Sequence, residues 1–336
     1  VGEGWRVRCR PPSGLVRPVP VDPLGVAGPT PGQARGRGWR RSSPGLYVPA
    51  EVPPQVEQRV LEASCRLRGA GAVTGWAALR LHGCGYLDGR DTDGRPLPVP
   101  LVVPPEVHLR TWPGTVVHRG RLPADEVGVR WGVPCTSPSR ALFDAARTAP
   151  SVREAVVVVD TAAAAGVVDL ASFATWAAQR QRWPGGAQVR QACSLAVERS
   201  LSPYETRLRL VWVLDAGYPT PLCNWPVTDA DGRRLGRPDL VCPGLGTFGE
   251  LDGADHRTGR QHAVDVARVG GVHRHRPRGV RRGRARRGPL PRAGGADARG
   301  GCAGAGQHSA AYLRPAARPG AAVRPTSGRE RRAGVH

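Results

Sequence analysis

Apolar residues recur at helical spacing between residues 54 and 68, where Val56, Val60, Leu61, Ala63, Ser64 and Leu67 mark one face. This stretch predicts an amphipathic helix. A second helix follows in AVTGWAALRLHGCG, with Thr74 as N-cap, Trp76, Leu79 and Leu81 turned inward and Gly83 as the stop. Upstream, GPTPGQARGRGWRRSSPGLYVPAEV reads as a short helix, a turn at residues 42–45 and a strand centred on Leu46, Tyr47 and Val48. The first two dozen residues are rich in Pro, Gly and Arg without an apolar period and read as a disordered arm. Within it Val16 is a second candidate start, since valine can be the literal translation of a GTG codon.

Between residues 96 and 199 the pattern alternates. PVPLVVP, TVVHRG and VGVRWGVPCT are strand-like. SPSRALFDAART predicts a helix capped by Ser137 or Ser139, and SVREAVVVVDTAAAAG and DLASFATWAAQRQRW predict two more. His82, His108 and His118 stand isolated and read as surface or core histidines. The segment reads as a connecting α/β region without chemistry of its own.

The densest pattern lies in residues 200–268. In SLSPYETRLRLVWVLDAGYPTP, Ser202 as N-cap, Pro203 at the first helical position and Glu205 three residues after the cap form a capping box. Leu208, Val211 and Trp212 give that helix its buried stripe, and Gly217 ends it. Capping accounts for Glu205 in structural terms, yet Glu205 also shares a side with Leu208, Arg209 and Trp212, which turns it towards whatever the helix packs on. NWPVTDADGRRLGRPDLVCP then reads as a hairpin with an Asp231-Gly232 turn, and GTFGELD as a further strand. Alternation puts Glu250 and Asp252 on one face, with Asp239 at the end of the adjacent strand able to meet them. Carboxylates converging in this way repel one another unless a cation lies between them, and Mg²⁺ is the natural occupant. The bland alternative for GELDGADHR is a polar strand end facing solvent, with Gly253 making the turn.

Composition changes this picture in two ways. The 336 residues carry 49 basic side chains and a net charge of +22. There is no lysine, isoleucine or methionine, a bias that reflects high-GC coding before it reflects function. Most of the charge excess lies beyond residue 268, where sixteen arginines face only Asp297 and Glu330. That segment is dominated by Arg, Gly, Ala and Pro with no apolar period, and is expected to be disordered. The same composition arises from out-of-frame reading of GC-rich DNA, so one expectation is a frameshift near residue 269. Such a shift would remove strands that brace the sheet and leave an inactive product. The competing expectation is a genuine basic nucleic-acid-binding tail. The eight cysteines show no Cys-x-x-Cys spacing and read as free thiols in a reducing cytoplasm. No apolar run approaches the roughly 20 residues that a membrane span needs.

The order of Glu205 on a capped helix, a hairpin, Pro238-Asp239, then Glu250-x-Asp252-Gly253 and His256 resembles the PD-(D/E)xK restriction-endonuclease-like superfamily. It is most similar to the domain group related to the very-short-patch-repair (Vsr) endonuclease. The wider order, from GVAGPTPGQAR through TGWAALRLHG, VPCTSPSRALFDAAR, SPYETRLRL and GRPDL to GELDGADHR, covers about residues 25–268. Within it, the segment from about Gly25 to Gly89 resembles the N-terminal winged-helix region of AbiEi-type antitoxins. The resemblance implies an α/β multi-domain chain. Its expected parts are a disordered arm (1–24), a winged-helix-like module (25–95), an α/β connecting region (96–199), an incomplete Vsr-like nuclease core (200–268) and a disordered tail (269–336).

The resemblance further implies that Asp239 and Glu250, with Asp252, hold Mg²⁺ and that Glu205 completes the acidic site. His256 would act as general base or phosphate ligand, and Asp265 and Arg268 would support the site from the next helix. Arg35, Arg37, Arg40 and Arg41 would approach DNA. The superfamily's usual lysine is missing, and Asp252 stands in its place. Water activation would then fall to His256, a metal-bound hydroxide or an arginine. The activity expected on this basis is Mg²⁺-dependent hydrolysis of DNA phosphodiesters in the cytoplasm. The alternative is a non-catalytic, antitoxin-type DNA-binding regulator with a toxin partner encoded nearby.

Overall fold

The structure, a computed structural model, describes residues 13–228, 234–250 and 268–270. It is mixed α/β, with seven α-helices among the described residues. A small antiparallel sheet opens the fold. Strand β1 (Val19–Pro20) pairs with β3 (Leu46–Pro49), which forms a hairpin with β2 (Trp39–Ser43). Residues 13–24, expected in a disordered arm, are therefore structured. The reason is a specific tie rather than an apolar period: Val16 N–H donates to Gln58 Oε1 at 2.9 Å, and Gln58 Nε2 donates back to the Val16 carbonyl at 2.8 Å.

Helix α1 (Val56–Ser64) leads into β4 (Ala72–Val73) and α2 (Gly75–His82). β5 (Val99–Val103), β6 (Thr115–Arg119), β7 (Val127–Arg130) and β8 (Val133–Thr136) follow. The five strands assemble in the order β6-β5-β4-β8-β7. Because β4 pairs with both β5 and β8, the sheet crosses the boundary expected at residue 95. Thr74 does stand at the N-terminus of α2, but its hydroxyl makes no cap bond. It donates instead to Asp144 Oδ2 at 2.7 Å and meets the Thr136 hydroxyl at 3.1 Å. Gly83 ends α2 in the left-handed region, at φ 115°.

Four helices continue the chain: α3 (Pro138–Thr148), α4 (Val152–Ala164), α5 (Leu170–Ala178) and α6 (Gly186–Leu195). Ser137, not Ser139, caps α3, and Ser151 caps α4. α3 packs on α2 and α4, and α4 packs on α6 and on α7 (Pro203–Leu210). One apolar cluster runs through all these elements, from Val60 in α1 to Leu210 in α7. Phe143 anchors it, with Trp183 and Trp176 edge-on at 5.4 and 5.9 Å.

The core also holds buried charge. Arg140 reaches Glu126 at 2.8 Å and Asp144 at 2.9 Å, and Arg180 pairs with the second Glu126 oxygen at 3.0 Å. These contacts tie α3 and the loop after α5 to the start of β7.

α7 joins this core to a second, smaller one. A π-helical turn, Val211–Asp215, extends it. The inward residues of α7 are Thr206, Arg209 and Leu210, while Val211, expected in the buried stripe, is 41% exposed. The π-turn shifts the face by one residue and sends Trp212 into a cluster with Cys223, Leu240 and Cys242. That cluster lies under a four-stranded antiparallel sheet ordered β14-β13-β12-β9, built from β9 (Leu222–Cys223), β12 (Leu240–Cys242), β13 (Thr247–Glu250) and β14 (Arg268–Gly270). The expected hairpin is present in part, as β10 (Val227–Thr228) paired with β11 (Arg234–Gly236): the returning strand stops at Gly236 instead of running to Val241, and Leu240–Cys242 is the separate strand β12, paired with β9 and β13; the Asp231-Gly232 turn lies outside the described residues. Val269 and Gly270, expected to open the tail, pair with Gly249 and Phe248. The rest of the tail lies outside the described residues.

A buried ion pair fastens α7 to α4. Asp160 of α4 is fully buried and takes Arg209 Nη2 at 2.7 Å, the Thr206 hydroxyl at 3.0 Å and the Val197 N–H at 2.8 Å. Burial raises the Asp160 carboxyl above the ordinary range, and the Arg209 charge and these donors pull it back. Removing one partner strands the other charge in the interior. Asp160→Ala should therefore lower unfolding stability by about 3–5 kcal/mol, and Asp160→Ala with Arg209→Met should recover most of that loss. Urea unfolding of the three proteins measures both.

Candidate active site

The candidate site begins at the first turn of α7. The Ser202 hydroxyl accepts from Glu205 N–H at 3.2 Å, and Pro203 occupies the first helical position. The return bond of a capping box is displaced by one residue: Glu205 Oε2 accepts from Leu201 N–H at 2.9 Å. The same oxygen accepts from Asn224 Nδ2 at 2.6 Å, and that amide also donates to the Arg199 carbonyl at 2.9 Å. Asn224 stands just after β9 with φ 49°, a left-handed conformation that asparagine tolerates better than most residues. Nothing in the sequence pattern singled it out; an Asn immediately after a short strand was the available signal.

The sheet supplies the other carboxylates. β12 pairs with β13 so that Leu240 faces Gly249 and Val241 faces Phe248. Continued one step, this register sets Asp239 opposite Glu250. On the other side Leu240 faces Cys223, and Asn224 N–H donates to the Asp239 carbonyl at 2.9 Å. Asn224, Asp239 and Glu250 thus form a row across three strands, and Glu250 is paired in turn with Arg268 of β14. Directly opposed residues share a side of the pleat and carry Cβ atoms about 4.5–5.5 Å apart. Asp239 is partly buried and Glu250 is exposed.

Electrostatics tie Glu205 to Asp239. Burial raises the Glu205 carboxyl first, the Leu201 and Asn224 donors lower it, and the nearby Asp239 charge raises it again. The balance leaves it above the ordinary glutamate range. Burial also pushes the Cys223 thiol up to about 11, with Glu205 and Asp239 adding to the rise.

Of the expected site residues, the register sets Asp239 across from Glu250, and Glu205 lies within electrostatic reach of Asp239. Asp252, His256 and Asp265 lie outside the described residues. Arg268 is in strand β14, not in a following helix, because its backbone pairs with Glu250. Among the described residues, no group of three or more His, Cys, Asp or Glu side chains is close enough to hold a metal ion. What they offer a hard cation is the Asp239–Glu250 pair, which fits the one or two carboxylates that Mg²⁺ takes alongside water and phosphate oxygens.

The expected DNA-facing arginines divide. Arg35 and Arg37 are exposed beside the N-terminal hairpin. Arg40 is clamped by both oxygens of Glu62, and the Arg41 guanidinium lies 5.2 Å over the Trp112 ring. His82 accepts a structural role: a ring nitrogen meets the Thr136 carbonyl at 2.8 Å, and burial lowers its pKa. The six cysteines among the described residues are free thiols. No described helix is long and apolar enough to cross a membrane. No protein-family model, curated protein or solved structure matches the chain.

The raised Glu205 carboxyl gives a signed pH effect. Folding strengthens its hold on the proton, so this stabilisation is complete below the ordinary glutamate pKa and is lost as pH rises through the raised one. Glu205→Gln removes that titration. The thermal midpoint of the parent protein should therefore fall relative to the variant as pH is raised from about 4 to 7. A difference that stays flat or rises across that range contradicts the placement of Glu205.

Proposed function

We propose that the chain is a Mg²⁺-dependent DNA endonuclease of restriction-endonuclease-like type, acting on phosphodiester bonds. One observation carries the reading: the antiparallel register that sets Asp239 against Glu250, in a row whose third member, Asn224, holds Glu205. Carboxylates collected from a helix and neighbouring strands destabilise a fold unless a cation offsets them, and a structural role does not require their convergence. In this reading Asp239 and Glu250 hold the cation. When bound, Mg²⁺ supplies Lewis acidity toward a phosphoryl oxygen. Glu205, whose pKa lies nearer neutrality than an exposed glutamate's, accepts a proton from the attacking water. Asp252 and His256 are further members of this proposed site, with Asp265 and Arg268 in support. The arginine-rich composition supplies general attraction to the phosphate backbone.

The alternative class, an antitoxin-type regulator that binds DNA through a winged-helix-like segment at 25–95, draws support from the exposed Arg35 and Arg37. It predicts a gel shift of promoter DNA without cutting.

Purified protein should nick supercoiled plasmid with Mg²⁺ and leave it intact with EDTA. Asp239→Ala should reduce the rate by more than the roughly 10–100-fold that loss of an outer-shell partner costs. Cutting that persists in Asp239→Ala belongs to a contaminant and removes the nuclease reading.

A further inference from the structure

Arg199, in the segment between α6 and α7, stands beside the candidate site and is held there through its main chain. The Asn224 amide donates to the Glu205 carboxylate at 2.6 Å and to the Arg199 carbonyl at 2.9 Å, so both acceptors share one nitrogen. The next residue, Ser200, is buried with its hydroxyl 2.7 Å from that of Thr206, and Leu201 N–H donates to Glu205 Oε2 at 2.9 Å. Residues 199–201 are thus fixed both to α7 and to the end of β9. The Arg199 side chain is exposed, and its guanidinium lies 5.1 Å over the ring of Trp225, which directly follows Asn224 and is 45% exposed. Nine other arginines among the described residues pair with a carboxylate, and Arg199 pairs with none of the described ones. Stacking engages the face of a guanidinium and leaves its in-plane N–H donors directed outward, where they match two oxygens of a phosphate. A cation between two carboxylates does not by itself hold the rest of a polyanionic strand, and the chain has no lysine to do so.

We propose that Arg199 is a substrate-binding residue: its guanidinium, braced on Trp225, takes the phosphate flanking the one at the Asp239–Glu250 pair. This rests on the phosphodiester reading of that pair. The contact neutralises one phosphate and releases its counterion, so it adds affinity in a salt-dependent way and without regard to base sequence. Trp225 acts through the guanidinium, by ordering a long side chain that would otherwise lose rotamer freedom on binding. Because Asn224 holds the main-chain carbonyl, a change of the Arg199 side chain leaves the bond to Glu205 in place.

Anisotropy of a fluorescein-labelled 20-mer duplex, with the full chain in EDTA between about 50 and 200 mM salt, reads the contact. Arg199→Gln should lower the slope of log affinity against log salt by about 1 and weaken binding about 5- to 10-fold at about 0.1 M salt. Arg199→Lys should keep the slope. Arg182→Gln, which removes an exposed charge between α5 and α6, should leave slope and affinity close to the parent's. With Mg²⁺, Arg199→Gln should raise KM for plasmid by a similar factor and hold kcat within about twofold, as loss of uniform binding requires. In a chain that cuts DNA, a slope unchanged by Arg199→Gln, a slope lowered equally by Arg182→Gln, or a fall in kcat at unchanged KM overturns the Arg199 assignment and leaves the nuclease reading standing. A slope lowered by Arg199→Gln alone in a chain that never cuts overturns the nuclease reading and keeps the phosphate contact. An unchanged slope without cutting, or no binding to the duplex, overturns both.

Discussion

The buried contact between Asp160 and Arg209 is the constraint on which the site depends. Arg209 lies one helical turn after Glu205, so fixing its guanidinium against α4 fixes the rotation of α7 and the direction of Glu205. Thr206 adds a second bond to the same carboxylate. An ion pair of this kind brings little net stability, because desolvation offsets its attraction. Its effect here is to admit one orientation of α7 and reject its neighbours.

The second constraint is strand register. Leu240 and Cys242 point into the small core beneath the sheet, with Cys223 beside them. A slip of one residue would bring Asp239 and Val241 to that face and expose the apolar set. Burial of a few small side chains thereby holds Asp239 and Glu250 side by side against their repulsion. Asn224 completes the arrangement from the next strand: its left-handed backbone turns the chain after β9, and its amide bridges Glu205 and the Arg199 carbonyl.

The main core is shared by segments that look separable along the chain. β4 pairs with β5 and β8, and the apolar cluster continues without a break from α1 to α7. Tyr86, in the loop after α2, consequently comes within the field of Glu205, more than a hundred residues later.

Much of the local structure was legible in the sequence, because it depends on short-range periodicity and on turn chemistry. The α1 and α2 helices, the Gly83 stop, the Ser137 and Ser202 caps and the three strand-like runs of the middle segment all follow from patterns within a dozen residues. The same alternation named Asp239 and Glu250 as neighbours across a pair of strands, which the register provides. Other features were decided only by tertiary contacts. Thr74 gave up its capping bond for Asp144, 70 positions away. The π-turn moved Val211 outward, and the arm around Val16 is held by a buried glutamine and by pairing of β1 with β3. Asn224, Asp160 and Tyr86 carry no local signature, since their roles arise from partners distant in sequence. Periodicity reports which face of an element is apolar; it holds no information about which polar group on another element will meet it once the faces are buried.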